Sequence, residues 1–177
     1  MNPTSWDLAP RAELPPAIGL LAAMLDDVRR DTLKGVEGLS AEDLLREPAP
    51  GEAPLGAYLM HLGEAEIYWL EILSGTPVAE DVKKDVFYNC WFDPSETPAP
   101  PSKPLPLEEY VSRLAIVRGL LHMSLRDLAD DALADDRTVM RGGTAFFTTP
   151  RWILHHLIEH EAHHRGQMML WKRRMGL

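Results

Sequence analysis

The stretch Trp152–Leu170 reads WILHHLIEHEAHHRGQMML and holds five of the seven histidines of the chain. In an α-helix, residues three and four positions apart share a face, so His160 and His164 fall on an otherwise apolar stripe. The apolar members of this stripe are Ile153, Leu157, Met168 and Trp171. A buried imidazole without a partner costs about 1 to 3 kcal/mol. A divalent ion shared by two imidazoles one turn apart satisfies both, so the stretch predicts a helix that carries part of a metal site.

Three further stretches have helical periodicity, and each has a proline near its start. Proline is tolerated in the first turn of a helix, because the N–H that it lacks has no partner within the helix there. The pattern predicts helices over about 15–34, 53–74 and 106–129, and a fourth that begins behind Thr149 as its N-cap. Only 138–147 contains residues typical of strands, with a turn at Gly142-Gly143, and alternation is weak. We therefore predict an all-α protein.

The connection between the second and third predicted helices is long, from Thr76 to Leu105. It ends in a proline-rich run, which favours irregular structure, and it exceeds the length of a tight antiparallel turn. These features predict a crossover within a four-helix bundle.

Composition limits the classes of protein that this chain can belong to. Its 177 residues, 45% of them hydrophobic, fit a single domain over 1–177. Its net charge of −9 opposes the electrostatic attraction on which nucleic-acid binding depends, so we expect no nucleic-acid partner.

Cellular location is predicted from the cysteine and the apolar runs. Cys90 is the one cysteine, which excludes an internal disulfide, and its surroundings favour an ordinary half-buried thiol over a reactive one. The N-terminus does not resemble a secretion signal, and no apolar run approaches the roughly 20 residues of a membrane span. We predict a cytoplasmic protein without a membrane partner.

The third ligand of a catalytic metal site has to come from outside the terminal helix. Such sites commonly use three protein ligands and leave a position open. The two remaining histidines are His61 and His122. His61 lies within a predicted helix among core residues, whereas His122 lies beside the apolar stripe of its own helix, so we favour His61.

His160, Glu161 and His164 also match the HExxH motif of zinc peptidases. Those enzymes take their third ligand further along the chain, but the 13 residues after His164 include no His, Asp, Glu or Cys. We therefore reject a peptidase and expect Glu161 to lie outside the ligand set or to face solvent. His156 lies roughly 12 Å along the helix from His164, so it more plausibly lines the approach than binds the same ion. His155 and His163 point away from the metal face, and we expect surface roles for them.

Three sequence segments resemble a known family. The terminal EHEAHHRGQM, the preceding TTPRWILHHLI and the upstream HLGEAEIYWLEILSG are similar to the DinB/YfiT-like superfamily of metal-binding four-helix proteins. The resemblance implies an up-down-down-up bundle, a divalent ion that is often nickel or zinc, and a homodimer. Carried over to this sequence, the metal ligands fall on His61, His160 and His164.

The resemblance also implies a chemistry. Some members are transferases that conjugate a low-molecular-weight thiol such as bacillithiol, mycothiol or glutathione to an electrophile, and others are isomerases that use such a thiol. Three neutral imidazoles leave the charge of the ion uncompensated, so a bound thiol or water loses its proton more readily. We expect a thiol transferase acting on a small molecule, with Glu66, His156 and Gln167 as polar residues around the ligands.

Two alternatives use the same histidines. One is a hydrolase in which metal-bound hydroxide attacks a small ester or amide, and the other is a metal-binding stress-response protein without turnover. In the latter case a fourth ligand, His156 or Glu66, would close the site. Tyr68 and Trp69 would line a substrate pocket in an enzyme, although aromatic residues at this spacing are more often core. Three histidines suit zinc, nickel, copper and iron alike.

Overall fold

The computed structural model describes residues 7–86 and 103–177. Within these ranges the chain is mostly helical, with six α-helices, a short 3-10 helix at Asp130–Ala134 and one β-hairpin. The helices are α1 Pro16–Val36, α2 Ala41–Leu45, α3 Leu55–Ser74, α4 Glu80–Asp85, α5 Leu107–Leu125 and α6 Pro150–Arg174. The long helices α1, α3, α5 and α6 correspond to the four predicted ones.

The ends of the long helices follow from local sequence. Thr149 caps α6, because its hydroxyl accepts a hydrogen bond from the backbone N–H of Trp152 at 3.3 Å. Pro54 and Pro106 occupy the N-cap positions of α3 and α5. Gly75 ends α3 with a φ of 69°, a left-handed conformation that favours glycine. These boundaries agree with the predicted ones to within a few residues, except that α5 ends four residues before the predicted end at 129.

A β-hairpin between α5 and α6 is present in addition to the helices, and the fold is otherwise mostly helical, consistent with the all-α prediction. Strand β1, Arg137–Arg141, pairs antiparallel with β2, Thr144–Thr148, with Val139 opposite Phe146. Gly142 and Gly143 have φ values of 54° and 79°, as a tight hairpin turn requires. Val139 is the one buried residue of the two strands, so neither face of the hairpin has a continuous buried row. This agrees with the weak alternation of apolar and polar residues in the sequence.

The predicted crossover is not wholly irregular. It contains α4, in which Glu80 and Asp81 occupy the first turn and Lys83 and Lys84 the last, an order that complements the helix dipole. The Nζ atom of Lys83 lies 2.7 Å from a carboxylate oxygen of Glu71 on α3. The remainder of the crossover lies largely outside the described residues. Cys90, predicted to be an ordinary half-buried thiol, also lies outside them.

The core consists of two main apolar clusters at opposite ends of the long helices. The first includes Leu25, Leu73 and Ile153, and the second includes Leu59 and Met168. Helix α3 packs against both α5 and α6, and α1 packs chiefly against α6. The polar residues described below lie at the middle of the helices, between these clusters. No helix in the described ranges is long and apolar enough to cross a membrane.

Candidate metal centre

Helices α3 and α6 bring three imidazole rings together. The Nε2 atom of His160 lies 3.1 Å from Nε2 of His61 and 3.1 Å from Nε2 of His164. The ligand atoms of all three lie within 4.8 Å of one another, a group that can hold a metal ion. His61 comes from α3, and the other two come from successive turns of α6. The three residues predicted as ligands are therefore neighbours in the folded chain.

The spacing of these nitrogens fits a small divalent ion. Zinc–nitrogen bonds of about 2.0 to 2.1 Å in a tetrahedral arrangement separate neighbouring nitrogens by about 3.3 Å. Two of the three separations here are 3.1 Å. A neutral imidazole has one lone pair, so Nε2 of His160 cannot accept a good hydrogen bond from both neighbours at once. A cation among the three lone pairs satisfies all of them.

The outer ring nitrogens have acceptors beside them. Nδ1 of His164 donates a hydrogen bond to Oε1 of Gln167 at 2.7 Å when its proton is on that nitrogen. Nδ1 of His61 lies 3.5 Å from Oε2 of buried Glu64. An acceptor at Nδ1 favours the tautomer whose Nε2 lone pair faces the metal position. Gln167 was expected near the ligands, whereas Glu64 was not identified, although its position three residues after His61 on one helix face could have indicated it.

Burial keeps two of the imidazoles neutral. It lowers the pKa of His160 to about 3, with the nearby rings of His164 and His61 acting in the same direction. Burial also lowers the pKa of His164, although the hydrogen bond to Gln167 acts in the opposite direction. A metal ion binds the deprotonated imidazole, so these rings are in the form that metal binding requires at neutral pH.

His156 lies beside the cluster rather than within it. Its ring stacks on Trp152 with the centroids 4.8 Å apart and the planes 6° apart, and its centroid lies 5.6 Å from that of His160. It also meets the edge of Trp69 at 5.2 Å. Burial lowers its pKa, which Glu159 raises and Arg141 lowers further. These contacts put His156 at the border of the cluster, where the sequence predicted an approach to the metal.

Glu66 makes contacts other than those that the sequence predicted, whereas Glu161 lies outside the group of possible ligands, as expected. Both are 2% exposed, and both are bound by arginines. Arg29 donates to Glu161 and to Glu66 at 2.7 Å each, and Arg118 also contacts both carboxylates. Burial raises the pKa of Glu66, but Arg118 and Arg29 outweigh it and the net shift is downward. Glu66 therefore belongs to an ion-pair cluster rather than to the surroundings of the histidines, and Glu161 does not face solvent.

The remaining histidines are outside the group of three, although the ring centroid of His163 lies 5.4 Å from that of His164. His122 on α5 lies near Asp26 and Arg11, with its Nε2 3.2 Å from Oδ1 of Asp26 and its Nδ1 3.1 Å from Arg11. It is therefore part of a polar cluster between α1 and α5, which agrees with the choice of His61 over His122. His155 and His163 are exposed, as expected for surface residues.

A cavity of about 400 Å³ lies between the hairpin and helices α3 and α6. Its lining residues are Trp69, Val139, Arg141, Phe146, Phe147, Thr148, Thr149 and Trp152. Trp69 is thus both a core residue, at 5% exposed, and part of a cavity wall. Tyr68 packs beside it with ring centroids 5.1 Å apart. The cavity adjoins His156, since two of its lining residues, Trp69 and Trp152, contact that imidazole.

Sequence comparison identifies the family. The model of the DinB superfamily matches residues 24–168, so the chain belongs to the DinB superfamily. This finding confirms the resemblance inferred from the histidine-containing segments. A comparison with curated proteins gives no match.

Two solved structures have the same fold. A conserved protein from Enterococcus faecalis is 15% identical, with a TM-score of 0.67 over 89% of this chain and 96% of that chain. A DinB-like protein from Bacillus cereus is 22% identical, with a TM-score of 0.60 over 88% of this chain and 92% of that chain. At these identities the likeness concerns the fold alone.

Proposed function

We propose that this protein is a metal-dependent transferase that conjugates a low-molecular-weight thiol to an electrophilic small molecule. The observation that carries the proposal is the convergence of His61, His160 and His164, whose Nε2 atoms have the spacing of metal ligands. Within the described residues this group has three members, which leaves a position open for a thiol or water.

The residues of the chain have separate tasks in this proposal. A bound divalent ion supplies positive charge that lowers the pKa of a thiol. His61, His160 and His164 hold the ion as neutral ligands and therefore leave its charge uncompensated. Gln167 and Glu64 hold the rings of His164 and His61 in their metal-binding orientation. The thiol loses its proton to solvent, its sulfur forms a bond with the electrophilic carbon, and the displaced group leaves with its electron pair.

We also propose the up-down-down-up arrangement for the four long helices. Contacts between α1 and α6, and between α3 and α5, follow the same order along both helices, which supports parallel pairs. Contacts between α3 and α6 follow opposite orders, which supports an antiparallel pair. The supporting contacts are Arg29–Glu161, Gly35–Lys172, Gly56–Tyr110, Glu66–Arg118, Tyr58–His164 and Trp69–Trp152.

Metal analysis and a thiol-dependent assay test the function. We expect about one divalent ion per chain in the purified protein and its loss in His160→Ala. His155→Ala, which changes an exposed histidine of the same helix, is the control and should retain the ion. Conjugation of 1-chloro-2,4-dinitrobenzene should require an added thiol. It should be lost in His160→Ala and retained in His155→Ala.

Three results would contradict the proposal. A wild-type protein without metal would contradict the proposed metal centre, and so would full metal content in His160→Ala. Thiol-independent hydrolysis of a small ester, lost in the same variant, would keep the centre but favour the hydrolase. The homodimer, the cytoplasmic location, the stress-response role, the choice of nickel or zinc and the single domain over 1–177 stay predictions.

A further inference from the structure

We propose that the cavity beneath the hairpin binds the organic substrate and selects planar aromatic molecules that carry an anionic group. The inference rests on the proposed function in one respect, since the reacting group of the substrate has to reach the histidine cluster. Three aromatic side chains and one arginine carry it: Trp69, Trp152, Phe146 and Arg141.

The cavity has the size and the walls of a small-molecule site. Its volume of about 400 Å³ falls within the range of about 300 to 1,000 Å³ that is typical of ligand pockets. Trp152 and Phe146 are 46% and 52% exposed, so their rings are only partly covered by the chain itself. Aromatic rings pair favourably with one another in stacked or edge-to-face geometry. A planar aromatic ligand would bury this surface.

Trp69 and Trp152 give the inner wall a defined shape. Their ring centroids are 5.2 Å apart at an interplanar angle of 65°, and Trp69 is almost fully buried. Because α3 and α6 hold these two rings, the inner wall belongs to the helical core, whereas the hairpin supplies the outer wall. A ligand between the two walls would contact rings on both sides.

Arg141 supplies the charge preference. Its guanidinium carbon lies 6.0 Å from the ring centroid of Tyr68 and 5.9 Å from that of Trp69, within the range of cation–π contacts. With the described residues, 7–86 and 103–177, its side chain forms neither a salt bridge nor a hydrogen bond. A cation–π contact uses the charge of a guanidinium but none of its N–H donors, which stay available for a carboxylate or sulfonate. A chain with a net charge of −9 thus presents a cation at an aromatic cavity.

The cavity and the histidine cluster are separated by one side chain. The ring of His156 stacks on Trp152 and is next to the ring of His160. Trp152 and His160 are eight residues apart on α6, which is about 12 Å of helix rise. A substrate anchored in the cavity therefore has to extend past His156 to bring its electrophilic carbon to the metal position. This geometry favours elongated molecules with an aromatic anion at one end.

Calorimetric titration with 2-naphthoate tests the ligand class. The comparison ligands are 2-naphthamide, which has the same rings without charge, and cyclohexanecarboxylate, which has the charge without an aromatic ring. We expect each comparison ligand to bind at least about fivefold more weakly than 2-naphthoate. Equal binding of the amide would overturn the anionic preference, and equal binding of cyclohexanecarboxylate would overturn the aromatic preference.

Matched variants test the location. Arg141→Gln and Phe146→Ala should each weaken 2-naphthoate binding by about fivefold to tenfold. Arg151→Gln and Met123→Ala, which change exposed residues outside the cavity lining, should leave it unchanged. In Arg141→Gln the affinity for 2-naphthamide should also remain, which separates loss of charge from loss of folding. Unchanged 2-naphthoate binding in both cavity variants would overturn the assignment.

Metal content measured in the same proteins separates this inference from the proposed function. Arg141→Gln should keep the ion and bind 2-naphthoate weakly, whereas His160→Ala should lose the ion and still bind 2-naphthoate. A metal-containing wild type that does not bind 2-naphthoate would overturn the inference and leave the metal centre intact. A wild type that binds 2-naphthoate without any metal would overturn the proposed function and, with it, the assignment of the cavity as a substrate site.

Discussion

At the scale of single residues, the outer nitrogens of the ligand rings determine which nitrogen faces the metal position. Nδ1 of His164 is hydrogen-bonded to Oε1 of Gln167, and Nδ1 of His61 lies 3.5 Å from Oε2 of Glu64. Partners of this kind fix the ring tautomer and orientation and raise the basicity of the ligand. Two of the three predicted ligands, His61 and His164, therefore depend on residues that do not themselves belong to the nitrogen cluster.

We expect Gln167→Leu to weaken metal binding by about tenfold to a hundredfold, because it removes the acceptor that orients His164. Competition with a coloured chelator measures the affinity. Gln167→Glu is the control, since its carboxylate keeps an acceptor at the same position. Equal affinities for wild type and Gln167→Leu would show that the hydrogen bond has no part in metal binding.

Glu66 is the residue whose change should most affect stability. Its carboxylate is buried between Arg29 and Arg118, and removal of one partner from a buried ion pair costs about 3 to 5 kcal/mol. We expect Glu66→Gln to lower the free energy of unfolding by an amount of that order, measured with urea at pH 7. The exposed Glu108→Gln, in the first turn of α5, should change it by less than about 0.5 kcal/mol.

The same residue predicts a pH dependence. The pKa of Glu66 in the folded protein lies below its ordinary value of 4.5. At a pH near 4.5 and below, the unfolded chain therefore binds more protons at Glu66 than the folded protein does. The stability that Glu66 contributes is fully present above pH 4.5 and is lost as the pH falls from there through the pKa of the folded protein. The difference in unfolding free energy between wild type and Glu66→Gln should shrink from pH 5 to pH 3. A difference in unfolding free energy that stays constant from pH 5 to pH 3 would contradict the lowered pKa of Glu66.

At the scale of elements, glycine sets how closely α3 and α5 approach. A Cβ atom on Gly56 would lie 2.5 Å from the hydroxyl oxygen of buried Tyr110, closer than carbon and oxygen can approach without a shift. A Cβ atom on Gly119, also helical, would meet nothing within 4 Å. The same residue type therefore has a packing role at one position and none at the other within the described structure.

These two glycines give opposite predictions for alanine. Gly56→Ala should lower the free energy of unfolding by about 1 to 3 kcal/mol, because the core has to move to accept the methyl group. Gly119→Ala should raise it by up to about 1 kcal/mol through helix propensity alone. Urea unfolding of both variants measures the difference. Similar effects of the two changes would contradict close packing at Gly56.

At the scale of the whole molecule, two polar groups link the long helices at their middle. Arg29, Glu66, Arg118 and Glu161 come one from each of α1, α3, α5 and α6. The three histidines join α3 to α6. The first group compensates its own charge with two arginines and two glutamates, whereas the second consists of neutral donors. Of the two groups, the histidine group is therefore the one that could hold an added cation.

Metal should stabilise the whole fold, because the ligands belong to two helices that separate on unfolding. A ligand at a thousand times its Kd stabilises a protein by about 4.1 kcal/mol. We expect zinc or nickel to raise the Tm of the chelator-treated protein by several degrees or more. The Tm of His160→Ala should not respond to the ion, and an equal response in both proteins would place the binding elsewhere.

How much was predictable from the sequence depends on the range of the interaction. The long helices were found because caps and helical periodicity are local, and His160 and His164 were paired because they are one turn apart. His61 was predicted as the third ligand from its place in a core helix and from the family resemblance, and in the fold it lies beside the other two. The hairpin was missed because its strands alternate weakly, and α4 because a proline-rich connection obscured it.

The sequence by itself determined the helices, the pair of histidines on α6 and the family. Only the tertiary structure decided which side chains the buried carboxylates contact. Glu66 and Glu161 lie close to the histidines along the chain, but their side chains meet Arg29 and Arg118 from α1 and α5. The cavity was likewise decided by packing, since its walls come from α3, α6 and the hairpin. The physical reason is that helix periodicity specifies a face of a helix, whereas the neighbour on that face is specified only when distant segments pack together.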